Sequence, residues 1–221
     1  MSLRPLSLLE ARAQGVLIEK AHPVPDSYPL SLNALTMGCN QKTARDPVLN
    51  ATDSEVQVTV DALKALNLVF ESSGSRVSRY EHNLGRALGL PSQSVALLAV
   101  LMLRGPQTGS ELRANCDRLH RFADLSSVEA FLDELAARSE EKGGPLVLKL
   151  ARAPGAREPR WAQLLCGPVD AAAFAVSAQS EDFVAASELA ALKAHQATLQ
   201  SEVNELRALV ERLYTELGVQ R

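Results

Sequence analysis

The sequence contains 221 residues, of which 46% are hydrophobic and 22% are charged, with 23 Lys and Arg against 26 Asp and Glu. This balance is typical of a globular protein, and the chain is long enough to bury a core without disulfides or a metal. The net charge of −3 excludes a strongly basic nucleic-acid coat protein but is compatible with a local basic patch. Aromatic residues make up only 4% of the chain, which argues against a sugar-binding cleft or a base-stacking platform.

Cysteine usage and hydropathy indicate the compartment. The three cysteines, Cys39, Cys116 and Cys166, lie far apart and form neither a CxxC pair nor a disulfide framework, which favours a reducing environment. We expect Cys39 and Cys116 to be buried core residues rather than reactive thiols. The first twenty residues lack the apolar region of a signal peptide, and the longest apolar run, residues 95–103, is too short to span a bilayer. We therefore expect a cytoplasmic protein without membrane contact.

The charge is distributed unevenly along the chain. Residues 1–90 carry nine basic and nine acidic side chains, and residues 91–168 carry ten and nine. Residues 169–221 carry four basic and eight acidic side chains, so the acidity is concentrated in the tail. Any contact with nucleic acid is therefore expected from the first two-thirds of the chain.

In chain order, the first segment reads as three helices and a hairpin. Residues 8–20 have helical apolar periodicity, a short second helix ends at Cys39, and a third helix begins near Asp53. Ser54 is the predicted N-cap of the third helix, because a serine hydroxyl before an acidic first turn satisfies free backbone N–H groups. Two strands around residues 72–75 then form a hairpin.

A second segment repeats this plan. An apolar helix over residues 94–104 is followed by a short helix that ends at Cys116 and by a third helix with Ser126 as its predicted N-cap. A longer hairpin signal completes the copy. Residues 85–91 are the predicted linker between the two copies.

Three helices and a β-hairpin, occurring twice, are the plan of a winged helix-turn-helix pair. The pair Arg160-Trp161 on the second returning strand corresponds to Arg79-Tyr80 on the first, where an aromatic ring is expected to pack back on the helices. The predicted fold class is mainly α with small β-hairpin wings (α+β): tandem winged helix-turn-helix domains plus a C-terminal coiled-coil helix. The predicted bounds are 1–86 and 91–168 for the two domains and 179–218 for the helix.

The tail has the heptad pattern of a coiled coil. Leucine occupies the d positions, and Leu, Val or Gln the a positions, a pattern that favours two parallel strands and predicts a parallel homodimer. The alternative is a helix that folds back on its own domains, but a narrow seam sustained over four heptads favours assembly. The predicted dimerisation residues are Leu189, Leu192, Gln196, Leu199, Val203, Leu206, Val210, Leu213 and Leu217.

Several long blocks of the sequence form a specific pattern. They are Leu6–Lys20, Val24–Leu35, Cys39–Thr43 with Arg45–Val48, Gly74–Val77 with Tyr80–His82, Leu101–Thr108 and Arg118–Ala123. Together they resemble the YceH-like family of uncharacterised bacterial proteins, over residues 5 to 168. The resemblance implies two winged-helix domains and a bacterial cytoplasmic protein, and it assigns neither an activity nor a functional residue.

Sequence motifs for catalysis are missing. The chain contains no Walker A loop, no GxGxxG, no HExxH and no GxSxG. The four histidines, His22, His82, His120 and His195, are scattered, and none pairs with a cysteine or carboxylate at metal-ligand spacing. We therefore expect a non-enzymatic protein with no metal and no cofactor.

Basic and amide side chains cluster in the turns and wings of both copies. Amides can read adenine, and Arg and Lys can bind guanine or phosphate, so these residues are the candidate DNA contacts. In the first copy they are Asn40, Gln41, Lys42, Thr43 and Arg45 in the turn, with Arg76 and Arg79 on the wing. In the second copy they are Arg113, Arg118, Arg121, Arg152 and Arg157. The alternative is a structural loop, with Asn40 as a helix C-cap and the arginines paired with nearby carboxylates.

The third helices argue against conventional DNA reading, in which this helix enters the major groove. Its acidic residues are Asp53, Glu55 and Asp61 in the first copy and Glu129, Asp133 and Glu134 in the second. The leading prediction is a DNA-binding, transcriptional-regulator-like homodimer that uses its turns and wings. The alternative is a scaffold whose winged helices bind another protein and not DNA, and a small-molecule sensor is a third hypothesis.

Overall fold

The computed structural model describes residues 3–21, 28–72, 77–152 and 156–169. Within these residues the chain has seven α-helices and two small antiparallel sheets, which confirms the predicted α+β class. The helices are Leu8–Ala21 (α1), Leu32–Cys39 (α2), Asp53–Ala65 (α3), Leu84–Leu88 (α4), Ser92–Arg104 (α5), Gly109–Cys116 (α6) and Leu125–Ala136 (α7). The strands are Leu30–Ser31 (β1), Val69–Ser72 (β2), Arg79–His82 (β3), Gln107–Thr108 (β4), Val147–Lys149 (β5) and Arg160–Gln163 (β6).

The chain divides into two compact units, residues 1–171 and residues 172–221. The predicted coiled-coil helix at 179–218 and its dimerisation seam belong to the second unit, which lies outside the described residues. The parallel homodimer and the fold-back alternative therefore both stay predictions.

The two sheets are built alike. The first has the strand order β1-β3-β2, and the second has the order β4-β6-β5. Leu30 pairs with Tyr80 across β1 and β3, and Gln107 pairs with Trp161 at the equivalent place across β4 and β6. Tyr80 and Trp161 are both buried in the hydrophobic core, so each returning strand is anchored by one aromatic ring. The predicted correspondence of these two strands is confirmed.

The arginines beside these rings make the same contact in both copies. Nη1 of Arg79 donates to the carbonyl oxygen of Pro29 at 2.9 Å, and Nη1 of Arg160 donates to that of Pro106 at 2.9 Å. Each proline directly precedes the short strand that leads into the second helix. The guanidinium groups therefore tie the returning strand to the start of that helix in each copy.

The first helices of the two copies, α1 and α5, pack closely against each other. Both are buried over most of their length. Gly15 permits the close approach, because a Cβ atom there would lie 2.9 Å from Cγ of Leu103. One hydrophobic core consequently serves both copies, and the division into domains at 1–86 and 91–168 stays a prediction.

The predicted N-caps Ser54 and Ser126 are wrong. In α3 the N-cap is Thr52, whose side chain accepts a hydrogen bond from the backbone N–H of Glu55. In α7 the N-cap is Asp124, which accepts from the backbone N–H three residues further on. Both form a capping box, in which the third helical side chain accepts from the backbone N–H of the cap residue. The caps therefore lie two residues before the predicted serines.

The predicted linker over residues 85–91 is not an extended connection. The short helix α4 occupies most of it and ends at Gly89, whose φ of 62° is a conformation that glycine adopts without strain. Leu84, the first residue of α4, is fully buried. This segment therefore packs on the core instead of separating two independent bodies.

Candidate functional site

The turn after α2 carries five of the predicted DNA contacts and is built around two buried arginines. Arg45 is the first: its side chain has no exposed surface, and its Nη2 lies 2.6 Å from Oε2 of Glu19. Its Nε donates to the carbonyl oxygen of Gly38 at 3.2 Å. Its Nη1 donates at 2.9 Å to the carbonyl oxygen of Ala44, a residue held at a left-handed φ of 59°. Arg45 thus stabilises the turn from inside and is not available to DNA, which corrects its predicted role.

Arg12 of α1 is the second buried cation, and the sequence patterns did not single it out. Its Nη1 donates to the carbonyl oxygen of Cys39 at 3.1 Å, and its Nη2 donates to that of Pro47 at 2.7 Å. Burial lowers the pKa of Arg12, and the positive charge of Arg45 lowers it further. An arginine within an otherwise apolar helical stretch was the available signal for such an internal contact.

The side-chain amides of the turn also form hydrogen bonds within the protein. Asn40 is the C-cap of α2, and its side chain both donates to and accepts from the backbone of Ala51, each at 2.8 Å. This confirms the structural alternative for Asn40. Gln41 donates to the hydroxyl of Thr43 at 3.2 Å and accepts from Arg45 at 3.2 Å.

The remaining candidate DNA contacts differ in their exposure and in whether they already bind another part of the protein. Arg79 and Arg113 each donate to a backbone carbonyl of a neighbouring segment. Arg121 lies 3.9 Å from Asp117, and its side chain is 90% exposed. Arg76 lies outside the described residues. The other exposed candidates are Lys42, Thr43, Arg118, Arg152 and Arg157.

A cleft of about 470 Å³ lies between the two copies and is named here the inter-repeat cleft. The first copy supplies Lys20 of α1 and the turn residues Gln41 and Thr43, and the second copy supplies Arg104 of α5 and Arg118 after α6. Its apolar lining residues are Ala44, Val100, Leu103, Ala114 and Leu119. Two regions that the sequence indicated separately therefore meet at one surface, together with Lys20 and Arg104, which it did not indicate.

The carboxylate of Glu19 in the inter-repeat cleft is already paired. Besides Arg45, it contacts Nζ of Lys20 at 3.5 Å. Burial acts to raise the pKa of Glu19, but the hydrogen bonds and positive charge of Arg45 outweigh burial and hold that pKa below its usual range. Glu19 is therefore a negative charge neutralised from within the protein.

The two arginines that the second copy contributes to the cleft have fewer partners than Lys20 of the first copy. Arg104 and Arg118 are exposed, and no hydrogen bond or ion pair joins either of them to another described residue. Asp117, which precedes Arg118 in the chain and also lines the cleft, contacts Arg121 at 3.9 Å. The C-termini of α1, α2, α5 and α6 border this region, and their partial negative charges offset part of the positive potential.

The third helices, α3 and α7, carry negative charge at their N-termini and on their exposed side. Their N-termini are occupied by the protein's own carboxylates: Glu55 accepts from the backbone N–H of Thr52 at 2.8 Å, and Asp124 accepts from that of Ser127 at 2.8 Å. These backbone hydrogen bonds lower the pKa of both carboxyl groups. A phosphate, which helix N-termini otherwise attract, would meet a resident negative charge there. The exposed acidic residues of α3 and α7 are Asp53, Glu55, Asp61, Glu129, Asp133 and Glu134.

The two predicted core cysteines occupy equivalent places at the ends of α2 and α6. Cys39 and Cys116 have no exposed surface, and burial raises the pKa of each thiol to about 12. Since the thiolate is the reactive form, the prediction that both are core residues is confirmed.

The described part of the chain shows neither a metal-binding cluster nor a membrane-spanning helix. There, no three His, Cys, Asp or Glu side chains are grouped so that they could hold a metal ion. None of the helices in those ranges has the length and apolarity needed to cross a bilayer.

The fold and the cleft define an α+β protein in which two copies of one element order share a core and line one cleft with charged side chains. The sequence pattern of the family described as "Protein of unknown function, DUF480" matches residues 6–156. The chain belongs to this family.

Relatives match almost the whole chain. A UPF0502 protein of Burkholderia multivorans is 63% identical over 219 residues, which covers 99% of this chain and 92% of the relative. UPF0502 proteins of Burkholderia ambifaria and Paraburkholderia phytofirmans are each 60% identical with the same coverage. The predicted resemblance to an uncharacterised bacterial family is confirmed, and the similarity extends beyond residue 168 into the tail.

Proposed function

We propose that this chain is a non-enzymatic DNA-binding protein whose two copies are winged helix-turn-helix units. The repeated order of helix, short strand, helix, helix and hairpin supports the proposal, with Tyr80 and Trp161 at equivalent registers in the two hairpins. A fold alone does not define a function, and the surface that these units present decides what they can bind.

The observation that carries the proposal is the inter-repeat cleft. Residues 41, 43 and 44 of the turn line it together with Arg104 and Arg118, and the neighbouring Lys42 is exposed. Ammonium and guanidinium groups bind backbone phosphates electrostatically, without reading the base sequence. A duplex that follows the rim of the cleft would contact cations from both copies at once.

The proposed arrangement differs from insertion of a third helix into the major groove. Both third helices are acidic on their exposed side, and Glu55 and Asp124 occupy their N-termini. Binding is therefore expected to depend mainly on phosphate contacts, to fall steeply with salt and to discriminate little between sequences.

The proposed assembly is a parallel homodimer through the heptads of residues 179–218. A dimer presents two inter-repeat clefts to one duplex. The second contact then forms within the complex, and the effective concentration raises the overall affinity.

Fluorescence anisotropy with fragmented genomic duplex DNA tests the cleft. Lys42→Glu combined with Arg118→Glu should weaken binding and make the plot of log affinity against log salt shallower by about two, because each lost phosphate contact lowers the slope by about one. Arg86→Glu reverses an exposed charge on α4 and is the matched control, which should bind like the wild type. Equal affinity and slope in the double variant and the control would contradict the proposed surface.

A protein-interaction scaffold is the second candidate, and the outer side of α3 favours it. This side combines exposed carboxylates with Val58, which is 71% exposed. Exposed carboxylates repel backbone phosphates, so this side suits a protein partner better than DNA. A wild-type chain that fails to bind duplex DNA at low salt would make this candidate the leading one.

A further inference from the structure

The inter-repeat cleft also has the construction of a small-molecule site. Its volume of about 470 Å³ lies within the range of known ligand pockets. Val100 and Leu103 line it with apolar surface, while Gln41, Thr43 and Arg118 bring polar groups from both copies. More of the lining surface is polar than apolar, so the cleft suits a charged ligand better than an apolar one.

Two guanidinium groups in this cleft are free to bind a ligand. Arg104 and Arg118 both line it, and neither makes a hydrogen bond or an ion pair with any described residue. Lys20, by contrast, is engaged by Glu19 at 3.5 Å. A guanidinium presents parallel N–H donors that match the oxygens of a carboxylate or a phosphate, so these two groups fit an anion.

Both carboxylates that line the cleft are engaged elsewhere. Glu19 pairs with Arg45 at 2.6 Å, and Asp117 lies 3.9 Å from Arg121. Neither carboxylate is therefore paired with the two free guanidinium groups.

We propose that the inter-repeat cleft binds a small organic dianion, a phosphate monoester or a dicarboxylate. Arg104 and Arg118 hold its charged groups, and the rest of the molecule contacts the turn of the first copy through Gln41 and Thr43. Such a ligand bridges the two copies and is recognised by the chemistry of its anionic groups.

This site and the proposed DNA surface share Arg104, Arg118 and the turn of the first copy. The dianion site does not require DNA binding, because its contacts lie inside the cleft. Where both functions hold, a bound dianion competes with duplex DNA for Arg104 and Arg118. The chain would then release DNA as the ligand concentration rises.

Isothermal titration calorimetry of the full chain tests the site with three probes: inorganic phosphate, adenosine monophosphate and succinate. We expect saturable binding of adenosine monophosphate or succinate with a dissociation constant below about 1 mM. The probe with the higher affinity shows whether the cleft prefers a phosphate monoester or a dicarboxylate. Inorganic phosphate shows whether the anionic group alone is enough for binding. Arg104→Ala should weaken that binding by about tenfold or more, since a charge-assisted hydrogen bond is lost.

Arg86→Ala, which removes an exposed guanidinium outside the cleft, is the control and should leave the affinity unchanged. Thermal unfolding of each variant shows whether it is folded. Absence of saturable binding for all three probes, or equal affinity in Arg104→Ala and wild type, would overturn the inference. Duplex binding measured without any ligand tests the DNA proposal separately, so a chain that binds DNA but none of the probes overturns the dianion site alone.

Discussion

At the scale of single residues, Arg45 and Glu19 show how one ion pair shapes the candidate site. The two residues are 26 positions apart in the sequence, and their pairing at 2.6 Å fixes the turn over residues 41–44 against α1. Removing one partner of a buried pair leaves the other charge uncompensated, so the loss exceeds what the pair itself contributes. Arg45 is consequently a stability residue, although its position in a turn resembles that of a DNA contact.

Substitution of Arg45 should destabilise the fold. We expect Arg45→Met to lower the free energy of unfolding by about 3 kcal/mol, because Glu19 and the carbonyl oxygens of Gly38 and Ala44 lose their donor. Urea unfolding near neutral pH measures the change. Arg121→Met, which removes an exposed arginine 3.9 Å from Asp117, should change stability by less than about 0.5 kcal/mol. A loss in Arg45→Met no larger than that of the control would contradict this role.

The same pair predicts a pH dependence. The pKa of Glu19 is lower in the folded protein than its ordinary value of 4.5. The contribution of the charged carboxylate is therefore fully present above that ordinary value and is lost as the pH falls through the folded value. The stability difference between wild type and Arg45→Met should shrink as the pH falls from about 5 to about 3. A difference that stays constant over this range would exclude Glu19 as the main partner.

At the scale of elements, the caps decide where the third helices begin. Thr52 and Ser54 are both residues of the type that caps a helix, so the sequence alone does not distinguish them. Ser54 precedes Gln57 as Thr52 precedes Glu55, and both spacings fit a capping box. The structure distinguishes them, because the reciprocal hydrogen bonds join Thr52 and Glu55, whereas Ser54 lies within the helix. The carboxylate of Glu55 therefore lies at the N-terminus of α3. Its negative charge also repels a phosphate from that position.

Paired alanine substitutions test this assignment of the cap. Thr52→Ala should lower the free energy of unfolding by about 1 kcal/mol, because the backbone N–H of Glu55 loses its acceptor. Ser54→Ala, at an exposed helical position, should change it by less than about 0.5 kcal/mol. Chemical denaturation of both variants gives the comparison, and a larger loss in Ser54→Ala than in Thr52→Ala would restore the serine as the cap.

The order of the elements could be predicted from the sequence because it depends on local signals. Apolar periodicity marks α1 and α5, and the pairing of Tyr80 with Trp161 as equivalent residues follows from their matching flanks. The packing of α1 on α5 could not be predicted, since Gly15 and Leu103 are remote in sequence and carry no mutual signal. The role of Arg12 could not be predicted either, because its acceptor, the carbonyl oxygen of Pro47, is 35 positions away in the sequence.

At the scale of the whole molecule, the candidate site exists only because the two copies share a core. The inter-repeat cleft combines Lys20 from the end of α1 with Arg104 from the end of α5. Each copy considered alone shows only a cation in the last turn of a helix, where it offsets the helix dipole. The turn and Arg118 could be predicted as candidates from their charge, but their meeting in one cleft could not.

The tail carries the prediction for assembly. Deletion of residues 181–221 should convert a dimer into a monomer, because it removes the heptad seam from Leu189 to Leu217. Light scattering of the full and shortened chains measures the mass. An unchanged assembly state after deletion would show that the helix is not the dimerisation element.

The most direct test of the DNA-binding proposal is the salt dependence of duplex binding by the wild-type chain. Fluorescence anisotropy with fragmented genomic DNA, at low and at physiological salt, gives the affinity and its slope. We predict tight binding at low salt and a steep decrease in affinity as salt rises, as expected for several phosphate contacts along the inter-repeat cleft. Absence of binding at low salt, where electrostatic attraction is strongest, would contradict it.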